Sequence, residues 1–84
     1  MAKVLMYTTP QCPFCVGAKA LLRRKGVPFE EIDVSTDATL QEKMIKESGR
    51  RTAPQVFING VPIGGFEELR ALDQDGQLDR LLAA

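Results

Sequence analysis

Apolar and polar positions along the first part of the chain predict two short strands joined by a helix. The apolar run at residues 4–7 predicts a buried strand. After a polar loop, apolar residues recur at helical spacing as far as Leu22, and Gly26 stands where a helix would end. Residues 27–34 alternate loosely and predict a second strand. Two parallel strands joined by a helix would form a right-handed β-α-β unit.

The middle of the chain predicts a second helix followed by a hairpin. Thr36 or Asp37 is suited to cap this helix, and Gly49 is suited to end it. Residues 55–58 then predict a third strand. The Asn-Gly pair at 59–60 is the strongest short signal for a two-residue turn, so the third strand should return directly as a fourth.

The end of the chain completes the predicted fold. The returning strand at residues 61–63 contains Pro62, which fits the edge of a sheet because proline has no N–H to donate there. The glycines at 64–65 should open a third helix, and residues 78–82 predict a last helical turn. The predicted fold is α/β, in the order β-α-β-α-β-β-α, with a four-stranded mixed sheet and helices on both faces.

Composition places the chain among soluble globular proteins. Its 84 residues suit one domain over residues 1–84, and 44% hydrophobic with 26% charged residues is ordinary for that class. Eleven basic and eleven acidic residues cancel, so we expect neither a nucleic-acid nor a membrane partner. The N-terminus runs straight into the first strand, which leaves no room for a signal peptide and predicts a cytoplasmic protein.

The Cys12-Pro13-Phe14-Cys15 segment carries the predicted chemistry. A C-x-x-C between a strand and a helix in a reducing compartment is typical of thiol-disulfide exchange. A disulfide across four residues would give only roughly 2 kcal/mol of loop-closure stabilisation, against about 3 for a 15-residue loop. Such a bridge is a poor structural crosslink, so we interpret it as one that is made and broken.

The two thiols have different predicted roles. Cys12 lies where the helix begins, and free backbone N–H groups there favour the thiolate that attacks disulfides. Pro13 suits the first helical position, which needs no N–H donor. Cys15 lies one turn further on and should be more buried, so we expect it to act as the resolving thiol.

Other interpretations of the two cysteines are weaker. They could be small buried hydrophobic residues, but that explains neither the proline nor the position at a helix start. They could form half of a zinc site shared between two chains, since two cysteines alone cannot complete a tetrahedral site. The chain has no histidine, which excludes Cys–His nucleophile pairs and a histidine metal ligand.

Three motifs together resemble the dithiol glutaredoxins, most closely the short bacterial kind. They are YTTPQCPFC at residues 7–15, TAPQVFING at 52–60 and IGG at 63–65. The resemblance spans essentially the whole chain and implies a thioredoxin-like fold with Cys12 and Cys15 as the redox dithiol. It also implies glutathione as co-substrate, with no bound organic cofactor and no metal.

The resemblance also implies a set of site residues. In the family, the proline matching Pro54 follows a cis peptide bond and faces the thiols, and Tyr7 lies near them, although strand packing is the simpler role for this tyrosine. Pro13 and Phe14 complete the support of the dithiol. The implied glutathione-binding residues are Thr52, Ala53, Pro54, Gly65, Phe66 and Glu67, and we add Arg51 as a candidate ligand of glutathione.

The chain departs from the family pattern at several of these positions. Many relatives carry lysine where this chain has Thr9, and that lysine helps to hold the glycyl carboxylate of glutathione. Arg50 or Arg51 could take its place as a carboxylate ligand, or both could be ordinary solvated charges. Phe14 replaces a commoner tyrosine. A Glu-Glu pair at 67–68 replaces Asp-Asp, and Phe66 stands where some relatives have a third cysteine.

The predicted function is that of a glutathione-dependent thiol-disulfide oxidoreductase. Its partners would be glutathione and proteins that carry disulfides or glutathionylated cysteines, and we expect a monomer. One alternative is a redoxin fed by thioredoxin reductase. Another is a carrier of a 2Fe–2S cluster ligated by Cys12 and glutathione from two protomers. Pro13 argues against the carrier, because cluster-binding relatives usually have Gly or Ser at that position.

Overall fold

The computed structural model describes residues 2–83, in which eight elements follow the predicted order. Their bounds are β1 Val4–Thr8, α1 Pro13–Arg24, β2 Glu30–Asp33, α2 Ala38–Ser48, β3 Gln55–Ile58, β4 Val61–Gly64, α3 Phe66–Gln74 and α4 Gln77–Ala83. Within these residues, no helix combines the length and the apolar character needed to cross a membrane.

The four strands form one mixed sheet in the order β2-β1-β3-β4. β1 is parallel to β2 and antiparallel to β3, and β3 is antiparallel to β4. Asn59 and Gly60 both have positive φ angles, +52° and +81°, as a type I′ hairpin turn requires. Pro62 lies on the edge strand β4. The predicted mixed sheet and its hairpin are confirmed.

Buried side chains cover both faces of this sheet. On one face, β1 and β3 pack against α1, α3 and α4 through a core that includes Met6, Ala18, Leu22, Val56, Leu69 and Leu78. On the other face, α2 covers a smaller cluster of Tyr7, Val34, Met44 and Phe57. Helices therefore lie on both faces, as the sequence predicts.

The second strand is shorter than predicted. The sequence predicts a strand over residues 27–34, but β2 spans only Glu30–Asp33. The N–H of Val27 still donates to the carbonyl of Leu22 at 3.3 Å, which continues the end of α1, and Pro28 has no N–H to give. Pairing begins only where Glu30 comes beside Leu5 of β1.

The two first helices begin where their cap residues predict. Cys12 is the N-cap of α1, and Pro13 occupies its first turn. Of the two candidates for the second cap, Asp37 is the one used: its carboxylate accepts the N–H of Leu40 at 3.1 Å, and α2 ends at Gly49.

Candidate active site

The two cysteines lie at the start of α1, just after the end of β1. Cys12 has extended backbone angles, and its sulfur accepts the backbone N–H of Cys15 at 3.4 Å. Its carbonyl accepts the N–H of Val16 at 3.0 Å, so the residue belongs half to the loop and half to the helix. The thiol of Cys12 therefore takes the place of the hydroxyl or carboxylate that usually caps a helix.

The environments of the two thiols differ in the direction that the predicted roles require. Partial burial opposes ionisation of Cys12, but backbone N–H groups of Cys15 and Phe14 and hydrogen bonds from the Cys15 and Thr9 side chains lower its pKa below the ordinary value. Cys15 is only 1% exposed, and burial, together with the neighbouring Cys12, raises its pKa. The thiolate therefore forms first on the accessible sulfur.

The backbone of residues 52–54 faces the Cys12 thiol. The Cys12 S–H donates to the carbonyl oxygen of Ala53 at 3.7 Å, across 41 positions of sequence. The Ala53–Pro54 peptide bond is cis, as the family resemblance implies. This segment connects the end of α2 with the first residue of β3, and it forms one wall beside the dithiol.

A groove of about 290 Å³ runs from this segment to the start of α3. Seven of the predicted site residues line it: Phe14, Thr52, Ala53, Pro54, Gly65, Phe66 and Glu67. Three further residues line it, namely Arg50, Gln55 and Glu68. The structure thus brings together, in one depression beside Cys12, residues from three separate parts of the sequence.

An ion pair joins the two walls of the groove. Glu68 folds back over the start of α3, where its Oε1 accepts the N–H of Gly65 at 2.9 Å and also meets Nη1 of Arg50. The Gly65 N–H and then the Arg50 guanidinium hold the pKa of the Glu68 carboxyl below its usual range, against partial burial. The sequence pattern Gly65-x-x-Glu68 resembles a helix capping box and could have indicated this contact.

Two aromatic rings give the groove an apolar side. The Phe14 and Phe66 rings lie 6.4 Å apart, and Phe14 is 55% exposed. Gly17 of α1 makes room for Phe66, because a Cβ at position 17 would lie 3.0 Å from its ring carbons. The position of the Phe66 ring therefore depends on Gly17, which no pattern in the sequence indicated.

Two predicted site residues lie elsewhere. Arg51 lines a neighbouring cavity of about 190 Å³ with Thr9, and this cavity touches the groove at Ala53. Tyr7 is fully buried under α2, where its ring packs edge-on against Phe57 and its hydroxyl donates to Glu47 at 2.7 Å. Burial and the Glu47 carboxylate raise the pKa of Tyr7 to about 12. This placement suits the packing role for Tyr7.

A cavity larger than this groove is remote from the thiols. It has a volume of about 410 Å³ and lies where β1 begins, lined by Lys3, Leu5, Glu47, Phe57 and Gly60. Cys12 follows the opposite end of β1. Redox chemistry depends on the sulfur atoms, so the smaller groove beside Cys12 is the candidate substrate site.

The two thiols at the start of α1 have pKa values shifted in opposite directions, and they lie beside a groove on an α/β sheet. These are the features of a dithiol redox protein. The family model described as Glutaredoxin matches residues 4–63. The chain therefore belongs to the glutaredoxin family, which supports a glutathione-dependent thiol oxidoreductase. The family, the thioredoxin-like fold and the enzyme class expected from the sequence are confirmed.

Individual relatives are similar over nearly the whole chain. Glutaredoxin 3 of Escherichia coli K12 is 52% identical over 82 residues, which cover 98% of this chain and 99% of the relative. The solution structure of a glutaredoxin from Brucella melitensis is 51% identical, with a TM-score of 0.86 over 98% of this chain and 89% of that one. A buckwheat glutaredoxin–glutathione complex is 26% identical, with a TM-score of 0.89 over 98% and 77%.

The pH dependence of alkylation should separate the two thiols. A thiol with a lowered pKa keeps its charge until the pH falls through that lowered value, so Cys12 should react with iodoacetamide at pH values where free cysteine, with a pKa of about 8.5, is mostly protonated. The rate measured on Cys15→Ser should therefore have its midpoint below that of free cysteine. On Cys12→Ser, the buried Cys15 should react slowly, with a higher midpoint. Equal midpoints in the two variants would contradict the assignment.

Proposed function

We propose that this protein reduces glutathione mixed disulfides and protein disulfides through Cys12 and Cys15. The observation that carries this proposal is the contrast between the two thiols. Cys12 is accessible and has a lowered pKa, whereas Cys15 is buried with a raised pKa. An attacking thiolate must be both ionised and reachable, and a resolving thiol needs only to reach its neighbour.

The proposed reaction with a glutathionylated protein uses Cys12 alone. Its thiolate attacks the glutathione sulfur, the original disulfide breaks, and the client leaves as a thiolate that takes up a proton. Cys12 is then disulfide-bonded to glutathione. A second glutathione thiolate attacks the glutathione sulfur of that bond, which releases oxidised glutathione and restores the Cys12 thiolate.

Reduction of a protein disulfide would use both cysteines. Cys12 attacks one client sulfur and forms a mixed disulfide with the client. Cys15 then attacks the Cys12 sulfur, so the client leaves with both sulfurs reduced and a Cys12–Cys15 disulfide remains. Two glutathione molecules return this disulfide to the dithiol and leave as oxidised glutathione.

The groove beside Cys12 is the proposed glutathione site. The Ala53 backbone would pair with the cysteinyl part of glutathione, in the manner of an added strand. The start of α3, from its N-cap Gly65 to Glu67, would receive the γ-glutamyl end, because the backbone N–H groups of the first helical turn after Gly65 favour a carboxylate. Arg51 is the proposed ligand of the glycyl carboxylate, which it would reach from the adjoining cavity that it lines with Thr9.

The remaining features of the proposal follow from the same chemistry. Glutathione would act as a co-substrate and not as a resident cofactor, and no organic cofactor or metal is needed for the exchange steps. The partners would be client proteins that carry disulfides or glutathionylated cysteines. We propose a monomer with one domain over residues 1–84. We also propose that the protein is cytoplasmic, because a reducing compartment maintains the free dithiol.

A coupled assay tests this function. The protein would be mixed with a small glutathione mixed disulfide, glutathione, glutathione reductase and NADPH, and NADPH consumption would be followed. We expect turnover well above the rate without the protein. Activity only when thioredoxin reductase replaces glutathione and its reductase would support the redoxin alternative instead.

The cluster-carrier alternative has its own test. Pro13 at the first position of α1 stiffens the backbone directly after Cys12, which opposes ligation of a shared cluster. Protein expressed and purified under anaerobic conditions should therefore be colourless. A visible charge-transfer spectrum that depends on Cys12 and on added glutathione would favour the carrier.

The Thr9→Lys variant tests whether a second positive charge beside Arg51 strengthens binding of the glycyl carboxylate of glutathione. If the glycyl carboxylate is weakly held, the added ammonium group should lower the apparent KM for glutathione. One partly exposed charge is worth up to about 1 kcal/mol, so the gain should stay under roughly fivefold and fade as salt is added. Thr9→Gln, with a neutral side chain, is the control. An unchanged KM at low ionic strength would indicate that Arg50 or Arg51 already fills the role.

A further inference from the structure

Gln55 is a buried polar residue that the exchange chemistry does not use. It is the first residue of β3, directly after Pro54, and its side chain is only 1% exposed. Its Nε2 donates to the carbonyl oxygen of Thr52 at 2.7 Å and lies 3.4 Å from the Thr52 Oγ1. A buried carboxamide is costly unless it is hydrogen-bonded, and here the side chain reaches back to the loop that precedes its own strand.

This contact connects the rigid sheet with the wall beside the thiol. The backbone of Gln55 pairs with Tyr7 in the centre of the sheet, so its position is fixed. Thr52 lies outside any helix or strand, and the Gln55 carboxamide holds its carbonyl. The next residue, Ala53, presents the carbonyl that accepts the Cys12 S–H at 3.7 Å.

The same segment also packs closely on the start of α3. A Cβ at Gly65 would lie 3.2 Å from the carbonyl oxygen of Pro54, so the two walls of the groove meet here with little spare room. A shift of the Thr52–Pro54 backbone would therefore alter both the edge that faces Cys12 and the spacing to the helix start.

We propose that Gln55 is a positioning residue for the glutathione site: its carboxamide holds the Thr52 carbonyl, and so fixes the backbone edge at Ala53 on which glutathione is bound. This inference rests on the proposed function. Gln55 acts through the Thr52 carbonyl and does not take part in the thiol chemistry. Loss of its hydrogen bond loosens the binding edge, while the N–H groups that lower the Cys12 pKa remain in place.

The test uses a Cys15→Ser background, in which Cys12 exchanges with oxidised glutathione in a single step. One disulfide breaks and one forms, so the ratio of glutathionylated to free Cys12 in glutathione buffers reports how well the groove holds glutathione. Gln55→Met keeps the side-chain length and removes the donor. Gln55→Glu keeps the shape, but its carboxylate cannot donate to the Thr52 carbonyl.

Gln41→Met is the control for loss of a bond of this kind at an exposed residue, which lines the cavity of Arg51 and not the groove beside Cys12. The Gln41 Nε2 also donates to a backbone carbonyl, that of Val34 at 2.8 Å, on the face of the sheet covered by α2. This variant loses the same kind of bond through the same substitution. If loss of a side-chain bond to a carbonyl acted only through general stability, both methionine variants would behave alike.

We expect both Gln55 variants to shift the glutathionylation equilibrium roughly three- to tenfold toward the free thiol, the range of one hydrogen bond. The alkylation midpoint of Cys12 should stay unchanged in Gln55→Met, which adds no charge, and Gln41→Met should shift the equilibrium less than either Gln55 variant. The proposal would be overturned if a folded Gln55 variant kept the glutathionylation equilibrium of the Cys15→Ser background. It would also be overturned if both Gln55 variants failed to fold while Gln41→Met folded. If the background protein itself forms no glutathione mixed disulfide, the proposed function fails instead.

Discussion

Cys12→Ser is expected to abolish turnover, whereas Cys15→Ser is expected to keep turning over glutathione mixed disulfides. Serine has the shape of cysteine but does not ionise near neutral pH, so position 12 loses its nucleophile. We expect a loss of at least about a thousandfold, since a covalent nucleophile is among the most costly groups to remove from an enzyme. The Cys15→Ser rate should stay within about threefold of wild type, because free glutathione resolves the intermediate.

The coupled assay with a small glutathione mixed disulfide measures both variants directly. A second assay with a protein disulfide as substrate should show a different pattern, because there Cys15 is the thiol that releases the client. In that assay Cys15→Ser should slow turnover and accumulate a client mixed disulfide on Cys12. Equal losses in both variants with the small substrate would contradict the division of roles.

Gly64→Ala is expected to cost about 3–5 kcal/mol of unfolding free energy and to weaken glutathione use. Gly64 has a φ of +118°, which L side chains rarely adopt, and its added Cβ would lie 2.6 Å from Oε1 and 2.9 Å from Cγ of Glu68. Backbone strain of this kind costs about 1–3 kcal/mol. Glu68 must also move, and it then leaves the N–H of Gly65 and the guanidinium of Arg50, each contact worth about 1 kcal/mol.

Gly26→Ala is the control for the strain alone. Gly26 has a φ of +70°, but no atom lies within 4 Å of its added Cβ, so only the backbone term remains, about 1–2 kcal/mol. Urea unfolding should rank Gly64→Ala as the less stable of the two, and only Gly64→Ala should lower kcat/KM for glutathione. Equal stability losses with unchanged kinetics in both would show that Glu68 is not tied to the groove.

The fold could be predicted from local signals because most of its elements carry strong ones. Hydrophobic periodicity located the strands and helices, and the Asn-Gly turn fixed the hairpin. The predicted start of the second strand is too early, because the apolar residues between positions 27 and 34 resemble the alternating pattern of a strand. In the structure, the N–H of Val27 is held by the end of α1, and a proline follows it. Local pattern does not reveal such competition for one hydrogen bond.

The site was predictable where a motif places residues next to each other along the chain. The C-x-x-C segment predicted the helix start and the difference in burial between Cys12 and Cys15. Contacts between distant segments were harder to foresee. The Arg50–Glu68 ion pair joins residues 18 positions apart, and the space that Gly17 leaves for Phe66 depends on how α1 packs against α3. Such contacts follow from tertiary packing.

Arg50 and Arg51 show where the sequence alone could not assign separate places to two neighbouring residues. Arg50 and Arg51 are adjacent and identical in chemistry, so the sequence could not separate their roles. In the structure, Arg50 forms an ion pair with Glu68 in the groove. Arg51 instead lines the adjoining cavity together with Thr9. Backbone direction in an irregular loop decides this, and no periodicity predicts it.

Peptide mapping of Cys15→Ser after incubation with oxidised glutathione tests most directly whether Cys12 is the glutathione-reactive thiol. Without a resolving thiol, the mixed disulfide should persist, and mass spectrometry should find one glutathione on the peptide that contains Cys12. Addition of reduced glutathione should remove it. A protein that stays unmodified, or that forms only disulfide-linked dimers through Cys12, would contradict a glutathione-dependent oxidoreductase built on this thiol.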